Sequence, residues 1–364
     1  MLADSQRPDP QPPGSKIPVA ILGATGAVGQ RLVEALHDHP WFILVEAVAS
    51  ERSAGKRYRD AAHWLLASEL PAAAGDLEVL PPGAPLAARV VLSALDSATA
   101  AELEPEYAGR GHQVVSNASK FRMDPRVPLV VPEINPHAVE RVRDQPWAAA
   151  GGGLVTNPNC SVVGIVMALA PLQRAFGLEA VTAVTMQAVS GAGYPGVASL
   201  DILGNVIPTI PGEEEKLARE PQKILEAEFP LSVAVHRVPV VDGHSCAVFV
   251  KLEHDAGLED MRREMAGFSG EPQRLRLPSA PERPLVVIDA ADRPQPLLDV
   301  NRGRGMTVTV GNLRADPMYD ARFNVLVHNT VRGAAGAALL NAELLAAKGF
   351  LAAQPVPTSL AAGA

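Results

Sequence analysis

Short apolar runs and segments of helical period alternate along the first third of the chain. Val19–Leu22 is a compact apolar run that stops at Gly23. Gly26–Leu36 follows, with Val28, Leu32, Val33 and Leu36 on one side of a helix. Trp41–Ser50 is β-rich, so the opening reads strand, glycine-rich turn, helix, strand. Ala88–Leu95 (ARVVLSAL) has the apolar character of a buried parallel strand. Gln113–Ser116 and Leu129–Val131 continue the alternation. Such a pattern predicts an α/β fold with a Rossmann-type, doubly wound parallel sheet.

The pattern changes in the middle. Ser161–Phe176 reads as a long apolar helix and Ala180–Val189 as a strand. Ser232–Val241 and Ala247–Glu253 read as a strand pair, and Leu285–Ile288 and Met306–Gly311 as two more. Strands with few helices between them predict a mixed, largely antiparallel sheet in a second, α+β domain. Asn329–Lys348 is a last helix rich in Ala and Leu. The expected organisation is a tail at 1–16, a nucleotide-binding domain at 17–156 completed by a helix at 329–349, and a catalytic and dimerisation domain at 157–328. The Pro-rich opening, MLADSQRPDPQPPGSKIP, has no apolar stretch of the kind a targeting signal carries and reads as disordered.

Composition narrows the function classes. A chain of 364 residues exceeds what one core usually holds, which agrees with two domains. The formal net charge of −8 and 4% aromatic content argue against nucleic acid and anionic lipid as partners. The apolar runs stop short of the roughly 18 residues that span a bilayer. Two cysteines, Cys160 and Cys246, exclude a disulfide scaffold, suit a reducing cytoplasm and leave no pair for structural zinc. His37, Asp38 and His39 read as a solvated helix end, not a metal site.

Three segments carry candidate chemistry. Gly23-Ala24-Thr25-Gly26-Ala27-Val28-Gly29 lies between a strand and a helix. Glycine there permits a tight turn and close approach to a pyrophosphate, and the helix start offers free N–H groups. At the end of the next strand, Ser50, Arg52 and Ser53 suit a 2′-phosphate and hence NADP, while Glu51 leans toward NAD; Arg52 also fits a solvated loop charge. The second segment, Thr156-Asn157-Pro158-Asn159-Cys160-Ser161, puts a thiol at a helix start, where the dipole favours the thiolate. A small buried hydrophobe is the alternative for Cys160. The third, Arg237-Val238-Pro239-Val240-Val241-Asp242-Gly243-His244, sets a carboxylate-clamping Arg and a proton-shuttling His at either end of an apolar stretch. On its own, His244 fits a satisfied turn histidine equally well.

These segments, with SNAS, VPLVVPEIN, MQAVSGAGYPGVASLDILGNVIP, GEEEK, RPQPLLD and HNTVRGAAGA, resemble the aspartate-β-semialdehyde dehydrogenases, particularly the archaeal and fungal branch. The resemblance runs from about Ile17 to Gly349. It implies NADPH-dependent conversion of L-aspartyl-4-phosphate to L-aspartate-4-semialdehyde through a cysteine thioester, in the biosynthesis of lysine, methionine and threonine. It also implies a cytoplasmic homodimer or homotetramer and no metal. By the same resemblance Cys160 is the nucleophile, His244 the acid/base and Gln187 the residue that positions the acyl group. Arg237 would hold the substrate carboxylate and Glu213 its amine, with Arg122, Asn159 and Lys216 on the phosphate. Gly23, Thr25, Gly26, Ala27, Val28, Ser50, Arg52, Ser53, Ser93, Ser190, Gly191 and Asn329 would line the cofactor. Without the match, Glu213-Glu214-Glu215-Lys216 reads as a solvated helix face.

Three positions depart from the family pattern: Asp96 after Ser93-Ala94-Leu95, Lys120-Phe121 after SNAS, and Cys246 two residues after the His. A malonyl-CoA reductase is the alternative enzyme; it would spare the phosphate donors and need room for CoA. A silent NADP-binding protein is the alternative outside catalysis, and the intact Cys160, Gln187, Arg237 and His244 argue against it.

Overall fold

The computed structural model describes residues 16–351, and most of the expected tail lies outside them. Six strands form the first sheet: β1 (Ile17–Leu22), β2 (Phe42–Val48), β3 (Val79–Leu80), β4 (Val90–Ser93), β5 (Gln113–Ser116) and β6 (Gly153–Thr156). All pair in parallel, in the order β3-β2-β1-β4-β5-β6. The longer α-helices of the molecule are α1 (Ala27–Leu36), α2 (Ser97–Gly109), α3 (Cys160–Phe176), α4 (Glu213–Leu225), α5 (Leu258–Ala266) and α6 (Gly336–Ala347).

Alternate residues of the strands supply two cores. Val19, Ile21, Val90, Leu92, Val115 and Val155 pack with α1 and α6. Ala20, Leu22, Val91, Val114 and Leu154 pack with Tyr107 and Ala108 of α2. Side chains of period two thus make both faces apolar, as a sheet covered on both sides requires. Strand order reverses between β1 and β4, which opens a crevice at the carboxyl ends of the strands.

The second sheet contains β7 (Leu178–Gln187), β8 (Leu231–Arg237), β9 (His244–Leu252), β10 (Leu285–Ile288), β11 (Val308–Arg314) and β12 (Ala321–Val327). Its order is β10-β11-β12-β9-β7-β8, a mixture of parallel and antiparallel pairs. Helix α3 is buried along residues 161–172 against this sheet, α4 and α5.

Several sequence expectations change. Leu129–Val131 is not a strand: Leu129 makes an isolated bridge to Thr156, and the sixth strand is β6. Strands β8 and β9 do not pair with each other, because β7 lies between them, parallel to β8 and antiparallel to β9. The last helical segment begins as a π-helical turn at Val331–Ala335 before α6. The His37-Asp38-His39 group is only partly solvated. His37 and Asp38 are exposed, but His39 is buried, with Nε2 2.9 Å from Glu343 Oε1 of α6. Its Nδ1 accepts from the backbone N–H groups of Trp41 and Phe42, so the histidine is a structural tie.

Candidate active site

A cavity of about 540 Å³ opens at the β1–α1 turn, where Gly23, Thr25, Gly26, Ser50, Glu51 and Arg52 line it. The glycines are required by backbone approach. Gly23 has φ 73°, and a Cβ there would stand 2.7 Å from Ala94 O. A Cβ on Gly29 would stand 2.2 Å from Gly23 O. No side chain caps α1, whose N-cap is Gly26 and whose first residues are Ala27 and Val28. That leaves a helix start suited to an anion. Ser53 closes the neighbouring turn by donating its N–H to Ser50 O. The shape and chemistry fit a dinucleotide, with the pyrophosphate on the glycine turn.

Ser93 does not join this cavity. It is fully buried on the α2 side of the sheet, beside the Glu104 carboxyl. Ser116 donates to Glu104 at 2.6 Å, yet burial pushes Glu104 up to about 7. Asp96 serves the fold, since its carboxylate caps α2 by accepting from Ala98 and Thr99 N–H at 2.9 and 3.1 Å.

Leu95 and Asp96 also border a second cavity of about 540 Å³, so the two adjoin. Cys160 is the first residue of α3, and its Sγ lies 3.2 Å from His244 Nε2. The residues are 84 apart in sequence and meet because three strand ends converge. Gln187 ends β7, Arg237 ends β8 beside it, and His244 opens β9 on the other side. The intervening stretch from 238 to 243 is therefore a connection around β7 and not the apolar strand its composition suggests.

Ala188 organises this convergence with its backbone. Its N–H donates to His244 Nδ1 at 2.9 Å, and its C=O accepts from Arg237 Nη1 at 2.8 Å. Because a peptide N–H can only donate, Nδ1 is the acceptor, and the neutral ring carries its proton on Nε2, toward the sulfur. Gly191 closes over the pair: a Cβ there would stand 2.8 Å from Arg237 Nη1 and 2.9 Å from His244 Cε1. Asn329 holds the approach to His244 by accepting from Gly243 N–H at 2.9 Å and donating to Ser190 Oγ at 2.7 Å.

The resting site is uncharged at its centre. Burial, and then Glu213, push the Cys160 thiol up to about 12, against the pull of Arg122 and Arg237. The backbone N–H at the helix start still pulls it down, as the sequence leads one to expect, but desolvation of the thiolate outweighs that pull. Burial, then Arg237 and His328, pull His244 down to about 3.

The charged groups stand around this centre in pairs. Glu213 accepts from Asn159 Nδ2 and from Lys216 Nζ, both at 2.7 Å. Arg122 donates from Nη1 to Glu220 at 3.0 Å and from Nη2 to Asn117 O at 2.7 Å. Glu213 is buried, while Glu214 and Glu215 are exposed, so the solvated-face reading holds for only part of the run. Gln187 is buried within reach of Thr185 Oγ1 and lines the same cavity. Cys246 is buried in the second core and, like Cys160, is a free thiol. Among the described residues no group of His, Cys, Asp and Glu is placed to hold a metal ion. None of their helices is long and apolar enough to cross a membrane.

Sequence reading missed Glu220, Ala188 and Lys223. Glu220 and Lys223 carry a signal, since they fall seven and ten residues after Glu213, on one face of a helix. Ala188 carries none, because it acts through its backbone.

A thiol–imidazole pair beside a dinucleotide crevice defines an oxidoreductase that works through a cysteine. The semialdehyde dehydrogenase NAD-binding domain matches residues 18–142, and the semialdehyde dehydrogenase dimerisation domain matches 169–332. The chain belongs to this family. It is 46% identical over 341 residues to the aspartate-semialdehyde dehydrogenase of Methanothermobacter thermautotrophicus, covering 90% of this chain and 98% of that one. The Candida albicans aspartate semialdehyde dehydrogenase, solved with NADP, superposes with a TM-score of 0.84 at 38% identity, covering 92% of this chain and 100% of the other. A malonyl CoA reductase (NADP) from Metallosphaera sedula is 37% identical, covering 91% and 97%.

Proposed function

We propose that the protein catalyses the reversible, NADPH-dependent conversion of L-aspartyl-4-phosphate to L-aspartate-4-semialdehyde and phosphate. One observation carries this reading. A single cavity holds Cys160, with His244 against it, Arg237, and three donors suited to a phosphate, Arg122, Asn159 and Lys216. Arg237 takes the substrate α-carboxylate through its guanidinium edge, and Glu213 takes the α-amine. Gln187 orients the carbonyl.

Cys160 Sγ attacks the acyl carbon, the C–O bond to phosphate breaks, and the thiol proton leaves on the phosphate. The β1–α1 turn would hold NADPH, with Ser50, Arg52 and Ser53 toward its 2′-phosphate, and the bound cofactor would be the source of the hydride that reduces the thioester. The C–S bond then breaks to release the aldehyde. His244 Nε2–H lies against the sulfur and stabilises the thiolate by a hydrogen bond as it departs, and water returns the proton that restores the thiol.

Residues 17–156 with 329–349 form the NADP-binding unit on this reading, and 157–328 the catalytic and dimerisation unit. A homodimer, or a tetramer built from it, is supported by Tyr194, Leu200, Leu203, Val206, Val241 and Leu297, large apolar side chains exposed within the dimerisation-domain match. Two free thiols suit the reducing cytoplasm. The test measures NADP⁺ reduction with aspartate semialdehyde and phosphate, against malonate semialdehyde and CoA. Phosphate-dependent turnover with the first pair is expected. Turnover with the second pair alone would replace this reading with a malonyl-CoA reductase.

A further inference from the structure

Helix α4 has a second, deeper set of contacts that the chemistry above does not use. Glu220 lies one helical face down from Glu213 and is buried. Its two carboxylate oxygens hold two different segments. Oε1 accepts from Arg122 Nη1 at 3.0 Å, and Oε2 accepts from the backbone N–H of Asn159 at 2.6 Å. Asn159 is the N-cap of α3, immediately before the nucleophile, and its side chain secures that cap by accepting from Ser161 N–H at 2.9 Å. Glu220 therefore bridges the guanidinium of the anion site to the start of the nucleophile's helix.

Lys223 adds a second tie from the same face. Its Nζ donates to the carbonyl oxygens of Arg122, Asp124 and Val127 at 2.7, 2.8 and 2.9 Å. An ammonium has three N–H donors, and all three are spent on the segment that carries Arg122. Burial pulls the ammonium down to about 8. The segment from 122 to 127 forms no regular helix or strand, so these contacts supply the order that a ladder would otherwise give.

We propose that Glu220 and Lys223 are positioning residues that hold Arg122 and Asn159 at a fixed separation as a preformed phosphate site. The inference rests on the function proposed above and deepens it. A preformed site matters because Arg122 would otherwise lose side-chain freedom each time a phosphate bound. The clamp is specific to a carboxylate. Its two partners are both donors, so two acceptor oxygens are needed. A glutamine offers one oxygen and an NH₂ group, and sets donor against donor at either Arg122 or Asn159.

The test is steady-state kinetics in the oxidative direction, with phosphate, aspartate semialdehyde and NADP⁺ each varied in turn. Wild type, Glu220→Gln and Lys223→Met are compared, with thermal melting as the measure of folding. Both variants should raise the KM for phosphate on the order of tenfold. The KM values for the aldehyde and NADP⁺ should stay near wild type, a selectivity that general loosening of the fold would not produce. Lys223 touches no donor side chain of the site, so Lys223→Met keeps the proposal open to refutation if Glu220→Gln does not fold. A folded variant whose phosphate KM is unchanged or lower would overturn the clamp; a lower value would mean that Glu220 competes with phosphate for Arg122. The wild type separates this failure from the other. Turnover that responds to CoA and not to phosphate would overturn the proposed function and the clamp together.

Discussion

The nucleotide cleft and the thiol pocket are neighbours built in different ways. The cleft is built on the Gly23–Gly29 turn and the turn after β2, with the segment from Ala94 to Leu103 as its other wall. Ser50, Glu51 and Arg52 on its rim are exposed to solvent. The pocket draws on segments scattered from Val28 to Ala334, and Asn159, Gln187, Arg237 and His244 are buried around a half-buried Cys160. The buried charges there have partners: Arg122 with Glu220, Glu213 with the half-exposed Lys216, Arg237 with the Ala188 carbonyl. Removing water makes positioned charges effective, and it also makes an unpaired charge costly. A buried site needs a supporting frame that a backbone cradle at the surface does not.

The contrast predicts unequal responses to substitution. Cys160→Ala should have the largest effect, abolishing turnover while NADP binding, followed by fluorescence titration, persists; near-native activity would remove the covalent mechanism. Next, Arg237→Lys should lose on the order of 2–4 kcal/mol of transition-state stabilisation, read as kcat/KM, because a point charge cannot reproduce the guanidinium edge that also meets Ala188 O. Its melting temperature should change little. If the substitution melts the protein instead, Arg237 is chiefly part of the frame.

On the cleft side, Arg52→Ala should cost about 1.5–3 kcal/mol in NADP binding and leave NAD nearly alone. Equal losses for both cofactors would mean that Arg52 does not read the 2′-phosphate. The smallest effect should come from Glu104, buried behind the first sheet and lining neither cavity. Its carboxyl ordinarily ionises near 4.5, and in the fold at about 7. The fold thus holds the proton longer, so the contribution to stability is full below pH 4.5 and is lost as pH rises through about 7. Glu104→Gln should flatten the fall in melting temperature over that range without moving activity. An unchanged pH–stability curve would show that Ser93 and Ser116 accommodate the charge.

The parts legible in the sequence share a physical origin. Gly23–Gly29 is readable because the turn and the helix start are local consequences of glycine between a strand and a helix. Cys160 is readable for the same reason, since Asn159 caps the helix that it opens. Ser93 misleads because a serine at a strand's end in the crevice faces either the ligand or the helix behind it, and strand alternation turns it to Glu104. The 129–131 run misleads because apolar composition suits a packed loop as well as a strand. β6 is short and begins at Gly153, which hides it.

Local chemistry settled the glycine cradle, the helix that begins at Cys160 and the apolar faces of both sheets, because each depends on neighbours within a few residues. Tertiary structure decided the rest. It placed β7 between β8 and β9, so that Arg237 and His244 flank Gln187. It turned the proton of His244 toward the sulfur through the Ala188 N–H, and it raised the Cys160 thiol by burying it. Strand order and desolvation arise from contacts between segments distant in the chain, and no local pattern of residues encodes the water that a folded pocket excludes.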